Sequence, residues 1–250
     1  MKKISVLTLV AIMAINLCTT GYAQLNDAQE ILTKVDEVSC APEDQYMKST
    51  MILMDKSGNQ NEREMVIYQK GGDKRLVRFL SPADQKGISF LGLPNDLMYL
   101  YLPAFRKVRM IASHVKNQNF AGTDFSYDDM SSFSFAKDYD SQLIESSDTF
   151  YSLKLTPKPE LEKDYSQLKM LVNKDSFVPS KIEYYDKNGN LWKMLTFDKI
   201  EKLGKYQIAK QMEMKDLKNS HSTKMIVDEI KLDSGLSDDI FTKRNLKRIR

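Results

Sequence analysis

Residues 119–130 read NFAGTDFSYDDM and gather several side chains that could do chemistry. Asp124, Asp128 and Asp129 could offer oxygen ligands to Ca²⁺, but the spacing of an EF-hand loop, with its glutamate at the twelfth position, is absent. Ser126 lacks the Gly-x-Ser-x-Gly turn that exposes a nucleophilic serine. We therefore predict no metal site and no catalytic residue in this stretch.

The same stretch has a structural interpretation as the start of a helix. Ser126 can cap it, which places Asp129 at the third helical position of an acidic capping box. Phe125 and Met130 then have the spacing of a hydrophobic staple. Gly122, just upstream, permits a tight bend. The pattern predicts that the aspartates position a helix and do not react.

The two histidines add no catalytic group to this picture. His114 and His221 both lie in polar surroundings near turns, so we expect solvated surface side chains. The chain also lacks a His/Cys cluster, a phosphate-binding glycine loop and a dinucleotide fingerprint. These observations favour a binding protein that uses no cofactor over an enzyme.

The N-terminus has the pattern of an export signal. Lys2 and Lys3 precede an apolar, uncharged stretch over residues 4–17, and Gly21-Tyr22-Ala23 ends in small residues. We predict a signal peptide over residues 1–23, cleaved after Ala23, and one exported domain over residues 24–250. The alternative is lipidation of Cys18. A lipidated cysteine is expected to follow a small residue, but Cys18 follows Leu17.

Cleavage would leave Cys40 as the single cysteine, which excludes a disulfide within one exported chain. It would also remove two lysines and leave the remaining chain close to neutral. A nucleic-acid-binding protein would show a basic excess. We therefore expect a stable core without disulfides and no nucleic-acid partner.

Hydrophobic periodicity predicts the elements that carry these residues. Asn26 can cap a helix over residues 26–38, with Ile31, Leu32 and Val35 at helical spacing. From Tyr46 onward the period becomes two, and short turns such as DKSGNQ and KNGN separate the alternating segments. We predict a mainly β single domain of about ten or eleven antiparallel strands, followed by a short helix from Ser237.

Two predicted strands, GISFLGL and LMYLYLP, are apolar on both faces and must be covered on both sides. The region 120–146 is the natural source of that cover. Methionines are frequent on the predicted strands and could fill an ordinary core or line an adaptable apolar cavity. These positions are Met51, Met54, Met65, Met98, Met170, Met194, Met212 and Met214.

Residues 78–130 resemble the family of outer-membrane lipoprotein-sorting proteins related to the LolA carriers. The resemblance rests on the combination of SPAD…KG, YLYLPA, VR and GTDFSYDDM. It implies an unclosed, strongly curved antiparallel β-barrel with an N-terminal helix, whose concave face is covered by lid helices. It also implies a shuttle for acyl chains between the inner and outer membranes, in a branch often associated with exporters of the resistance-nodulation-division kind.

The resemblance also suggests roles for individual residues. Residues 120–136 would form the lid, hinged near Gly122. An arginine on an early strand would hold the lid shut, with Arg63, Lys70, Arg75 and Arg78 as candidates. The hollow beneath would be lined by Phe90, Leu91, Met98, Leu100, Leu102, Met212 and Met214. The lid and hinge residues would be Gly122, Phe125, Ser126, Asp129 and Met130.

Arg106, Lys107 and Arg109 are predicted to dock on a partner or on anionic lipid headgroups. The C-terminal cations instead suit the end of a short helix. We expect a monomeric, non-enzymatic periplasmic carrier of an acylated lipoprotein or another lipid, with an inner-membrane exporter and an outer-membrane acceptor as possible partners. The alternative is an accessory subunit of a hydrophobe exporter that binds protein and no lipid.

Overall fold

The computed structural model describes residues 28–131 and 134–248. The predicted signal peptide, Cys18 and the helix cap Asn26 lie outside the described residues. A helix, α1, spans residues 28–39. Thirteen strands follow: β1 (Asp44–Met54), β2 (Gln60–Lys70), β3 (Lys74–Ser81), β4 (Ser89–Leu93), β5 (Leu97–Leu102), β6 (Lys107–Met110), β7 (Tyr139–Ser146), β8 (Phe150–Pro157), β9 (Gln167–Asn173), β10 (Pro179–Tyr185), β11 (Leu191–Leu203), β12 (Tyr206–Asp216) and β13 (His221–Leu232).

Three short α-helices complete the described chain: α2 (Tyr127–Ser131), α3 (Phe135–Asp138) and α4 (Lys243–Leu246). The predicted C-terminal helix is split in two. Ser237 caps a 3-10 turn over Asp238–Phe241, and Thr242 caps α4. No helix within residues 28–131 and 134–248 is long and apolar enough to span a bilayer.

All thirteen strands form one sheet in the order β6-β5-β4-β3-β2-β1-β13-β12-β11-β10-β9-β8-β7. Neighbouring strands are antiparallel, and nearly all are consecutive in sequence. The exception is the pairing of β1 with β13, which joins the two halves of the chain at the centre of the sheet. β6 and β7 remain as free edges, so the sheet does not close. The predicted unclosed antiparallel barrel is confirmed.

The strand count exceeds the ten or eleven predicted, and both edges contribute to the difference. β6 has four residues, and three of them are exposed. β7 is also largely exposed beyond its first residues. An edge strand with little buried surface has no need of an alternating apolar pattern, so periodicity does not reveal it.

The two faces of the sheet are covered by different parts of the chain. The concave face carries one large apolar cluster with contributions from α1, from both halves of the sheet and from the segment between β6 and β7. On the convex face, Phe241 and Leu246 from the C-terminal segment pack on Leu76, Leu91 and Tyr99. Two separate covers explain why β4 and β5 are apolar on both sides.

The N-terminal helix lies against the concave cluster. Ile31, Leu32 and Val35, the predicted apolar face of α1, are all buried there. Asp36, the residue after Val35, accepts hydrogen bonds from the backbone N–H groups of Phe135 and Ala136 at 2.9 and 2.8 Å. α1 therefore packs on the sheet and also fixes the start of α3.

The predicted capping box at the start of α2 is confirmed. The Ser126 hydroxyl accepts a hydrogen bond from the backbone N–H of Asp129 at 3.0 Å, and the Asp129 carboxylate accepts from the backbone N–H of Ser126 at 2.7 Å. Burial raises the pKa of the Asp129 carboxyl, although Lys193 and the bonds from Ser126 oppose that shift. Phe125 and Met130, the predicted staple, are both buried in the concave cluster.

The capping box should stabilise the lid measurably. The double variant Ser126→Ala/Asp129→Asn should lose about 1 kcal/mol of unfolding free energy, because the first turn of α2 loses its reciprocal bonds. Amide exchange within residues 127–131 should accelerate. Urea unfolding and hydrogen exchange measure these two effects. Ser57→Ala, in an exposed turn, is the control, and an unchanged double variant would show that the box contributes nothing.

Asp36 should make stability depend on pH. Burial raises its pKa from 3.8 to about 6, although bonds from Ala136, Phe135 and Ser134 favour the charged form. Between these values the folded chain keeps a proton that the unfolded chain has lost, so stability should fall as pH rises from about 4 to about 6. Asp36→Asn lacks this titration. Melting temperatures of both proteins across that range should therefore differ in slope, and parallel profiles would contradict the assignment.

Candidate functional site

The concave face contains most of the residues predicted to line a hollow. Phe90, Met98, Leu100 and Met214 are buried in the concave cluster. Leu102 and Met212 are partly buried and pack against it. In β5, positions 98, 100 and 102 share one face because side chains alternate along a strand. These six residues therefore belong to one continuous apolar surface.

The prediction for Leu91 is wrong. Leu91 follows Phe90 on β4, and successive side chains of a strand point to opposite faces of the sheet. Because Phe90 faces the concave cluster, Leu91 faces the convex side, where it packs in the cluster with Phe241 and Leu246. Leu91 supports the C-terminal segment and does not line the hollow.

The lid fills the hollow with its own aromatic side chains. Phe120 is fully buried, with its ring centroid 5.6 Å from Phe79, 5.8 Å from Phe90 and 5.6 Å from Tyr127. The chain leaves this position through two left-handed residues, Ala121 and Gly122, whose φ angles are 48° and 76°. The bend predicted at Gly122 is therefore present, and it directs Phe120 into the apolar cluster.

Arg63 on β2 binds the lid backbone. Its guanidinium donates to the carbonyl oxygen of Ala121 at 2.7 Å and lies over the Phe79 ring at 5.5 Å. Burial lowers the pKa of Arg63, and Asp84 partly offsets this effect. A buried, charged donor at the bend holds the lid against the sheet.

The other early-strand candidates have different partners. Lys70 donates to the carbonyl oxygen of Leu236 at 3.0 Å, and Arg78 donates to that of Asn245 at 2.6 Å. Both bonds fix the C-terminal segment. Arg75 donates to the side chain of Gln69 within the sheet. Within the described residues, Arg63 is thus the candidate whose hydrogen bond reaches the lid.

A second cation binds the lid from the other half of the sheet. Lys193 on β11 is buried, and its amino group donates to the backbone carbonyl of Asp124 at 2.8 Å. The side-chain oxygen of Asn119 lies 3.5 Å from the same amino group. Lys193 and Arg63 therefore bind carbonyls only three residues apart, from strands on opposite sides of the β1–β13 pairing.

Asp124 adds a side-chain contact between the lid and β13. Its carboxylate accepts from the Thr223 hydroxyl at 2.6 Å and lies 2.8 Å from Nδ1 of His221. The Thr223 hydroxyl also accepts the backbone N–H of Asp124 at 3.0 Å. The prediction that His221 is a solvated surface residue is therefore wrong: it is a partly buried partner of the lid.

A His–Asp pair could orient an imidazole base, but a hydrolase also needs a nucleophile at the other ring nitrogen. Among the described residues, no hydroxyl group is hydrogen-bonded to Nε2 of His221. The Thr223 hydroxyl is bonded to the carboxylate of Asp124. This arrangement fixes the position of the lid and does not form a nucleophile–base pair.

A cavity of about 500 Å³ opens beside the lid. Its volume lies within the range of small-molecule sites, about 300–1,000 Å³. Its buried walls are apolar or aromatic and include Phe125, Tyr139, Tyr184, Leu195 and Met214. Charged, largely exposed side chains form the rim: Asp96, Lys137, Glu160 and Glu162. Asp128, Asp129, Asp138 and Lys163 also line it, so the cavity is amphipathic, with charged groups in its walls as well as at its opening.

Lys163 is one of the residues that line this cavity. Its amino group lies 2.6 Å from a carboxylate oxygen of Asp128 on α2 and 2.6 Å from one of Asp138 on α3. Burial would lower the pKa of Lys163, but attraction to Asp128 and the two hydrogen bonds hold it well above the usual range. One lysine from the β8–β9 connection thus ties together the two helices of the lid.

Sequence patterns did not identify Lys193, Thr223, Lys163, Tyr184 or Leu195 as site residues. Lys193 alone carries a signal. It precedes Leu195 by two positions on β11 and so shares its buried face. A lysine at an inward position of a strand needs a specific partner. The partners of the others come from segments distant in sequence and cannot be read from local patterns.

The predicted docking residues lie elsewhere. Arg106 is in the β5–β6 turn, and Lys107 and Arg109 are on the edge strand β6. All three are exposed, and none lines the cavity. In the part of the chain that the structure describes, no three His, Cys, Asp or Glu side chains are grouped as metal ligands.

Solved structures of other proteins share this architecture. An outer membrane lipoprotein-sorting protein domain from Vibrio parahaemolyticus is 28% identical, with a TM-score of 0.82, over 90% of this chain and 100% of that one. A DUF1329 family protein from Desulfovibrio piger is 29% identical, with a TM-score of 0.82, over 89% and 99%. A LolA superfamily protein from Nitrosomonas europaea is 23% identical, with a TM-score of 0.73, over 87% and 98%.

None of the curated proteins matches this chain. The model of a protein family described as "Uncharacterized protein" matches residues 71–248, from β3 to the C-terminal segment. This match includes the lid, the cavity and Lys193. Because it spans more than half of the sequence, the chain belongs to that family. Its fold is the open, lid-covered barrel that the Nitrosomonas europaea structure also has.

Proposed function

We propose that this protein is a non-enzymatic periplasmic carrier that holds the acyl chains of a lipid or lipoprotein beneath its lid. The observation that carries the proposal is the plugged hollow. The lid inserts Phe120 into a continuous apolar face, yet polar bonds to Arg63, Lys193 and Thr223 hold it in place. A core that never opens could be covered by apolar contacts alone, without polar bonds that can be broken and formed again.

The cavity beside the lid fits an amphiphile. The apolar part of its wall would take a hydrocarbon chain, while the charged groups of the wall and the rim would face a polar headgroup and water. Each buried CH₂ contributes about 0.8 kcal/mol, so a long acyl chain gains on the order of 10 kcal/mol by leaving water. Displacement of Phe120 would enlarge the cavity toward β3 and β4, where Phe79 and Phe90 form the wall.

The proposed localisation rests on the predicted signal peptide over residues 1–23 and on the similarity to an outer membrane lipoprotein-sorting domain. In this proposal the exported domain comprises residues 24–250. It acts as a monomer, receives its cargo from an inner-membrane donor and delivers it to an outer-membrane acceptor. The aspartates of residues 119–130 serve to position the lid and take no part in a reaction.

One observation favours a second function. Leu97, Phe105 and Met110 are exposed on the β5–β6 hairpin, which is the kind of apolar surface expected of a subunit that binds an exporter protein. In that case the lid would remain shut and the cavity would hold no lipid. The two functions make opposite predictions about bound lipid.

Native mass spectrometry of protein purified from a periplasmic extract without detergent tests the carrier. We expect phospholipid or acylated peptide at close to one molecule per chain, because the apolar part of the cavity wall favours an acyl chain over water. Organic extraction would then identify the cargo. A lipid-free protein that also rejects added fatty acid and lysophospholipid would contradict the carrier and favour the accessory function.

Arg63→Met should raise the affinity for lipid. It removes a charged hydrogen bond that exists only while the lid is shut, so opening costs less and ligand binding should strengthen about tenfold. Displacement of a fluorescent fatty acid from delipidated protein measures this. Lys202→Met, at an exposed position on β11, is the control. Unchanged affinity in a folded Arg63→Met variant would show that the arginine does not latch the lid.

A further inference from the structure

Two basic segments that are far apart in sequence meet at one edge of the sheet. Residues 97–110 contain three Lys or Arg and no Asp or Glu, and residues 240–250 contain five Lys or Arg and no acid. The structure packs α4 on β4, beside the β5–β6 hairpin. The Lys243 amino group lies 4.1 Å from the centroid of the Tyr99 ring, and Tyr99 pairs with Met110 across β5 and β6.

The cations of this edge point to solvent. Arg106, Lys107 and Arg109 of the hairpin are exposed, as are Lys243, Arg244, Lys247 and Arg248 of the C-terminal segment. Within the described residues, none of these seven takes part in an ion pair. The whole chain has a net charge of only +3, so the rest of the molecule is net acidic.

Exposed apolar side chains lie among these cations. The residues Phe105 and Met110 are 62% and 63% exposed. The Arg109 guanidinium lies 5.9 Å from the centroid of the Phe105 ring. Cations alone would protect an edge strand from unwanted pairing. That role does not explain the exposed Phe105 and Met110, nor the cations of α4, which lie on the convex face.

We infer that this basic edge, formed by the β5–β6 hairpin and the C-terminal segment, docks the protein on an anionic phospholipid bilayer. Clustered Lys and Arg are attracted to anionic headgroups, and interspersed apolar side chains insert at the boundary of the acyl region. The net acidic remainder of the molecule would be repelled by the same surface, so the basic edge would face the membrane.

This inference is separate from the proposed cargo site. None of the seven exposed cations of the basic edge lines the cavity or is bonded to the lid in the described structure. The attraction also does not require a bound lipid. A protein without any cargo should therefore still dock, and a variant of the basic edge should still carry lipid.

Vesicle flotation with the protein purified from the periplasm tests the inference. The protein should float with vesicles of phosphatidylcholine and phosphatidylglycerol at low salt, and not with phosphatidylcholine alone. Binding should weaken at high salt, since ions screen exposed charges over about 10 Å at 0.1 M. The variant R106Q/K107Q/R109Q should bind about 100-fold more weakly, at about fivefold per cation.

The matched control is K56Q/K187Q/K202Q, which removes the same charge from exposed lysines away from the basic edge. It should bind like the unmodified protein. K243Q/R244Q/K247Q should lose binding to a similar degree as the hairpin variant, which covers the case in which that variant fails to fold. F105S/M110S should lose binding about tenfold, because it removes the apolar side chains that insert into the bilayer. The variant should still fold, since both residues are already exposed in the folded protein.

Three results would overturn the inference. They are absence of binding to anionic vesicles, equal loss in the control and the hairpin variants, and retained binding in both folded basic-edge variants. Binding to an acidic protein without binding to vesicles would assign the surface to a protein partner and also count against it. Bound lipid in each variant, measured by native mass spectrometry, keeps failure of docking distinct from failure of the carrier.

Discussion

A sheet that curves around an apolar hollow and does not close must have its concave face covered by some other part of the chain. Here the free edges are β6 and β7, and the described chain between them, residues 111–131 and 134–138, supplies that cover together with α1. The connection that leads from one edge to the other is therefore also the lid. This single constraint explains why the lid is one segment, and why its apolar side chains face inward.

A cover of this kind needs its backbone groups satisfied, because a buried carbonyl without a partner costs about 1–3 kcal/mol. Arg63 and Lys193 meet that need at Ala121 and Asp124. The charged groups of both donors lose much of their hydration in this position, so each depends on the lid as much as the lid depends on it. An open lid would hydrate all four groups together. The polar contacts therefore fix the lid in one position on the sheet.

Much of this arrangement can be predicted from sequence, and the reasons for the failures are physical. The capping box at Ser126 and Asp129 and the bend at Gly122 are local, so spacing alone identifies them. The hollow-lining residues follow from strand alternation once one position is assigned. The prediction for Leu91 is wrong because alternation places this residue on the opposite face from Phe90. The partners of Asp124 lie about a hundred residues away on β13. Only the pairing of β1 with β13 brings that strand to the lid, and no local pattern encodes this pairing.

The two covers of the sheet also separate two kinds of contact. On the concave side, cations such as Arg63 are buried against the lid and depend on its position. On the convex side, Phe241 and Leu246 anchor the C-terminal segment, so its cations are held in place while remaining hydrated. Burial thus decides which basic residues respond to the lid and which remain free to meet an external surface. Because α4 packs on β4 and β4 also carries Phe90 on its other face, the lid and the basic edge share one strand as their common support.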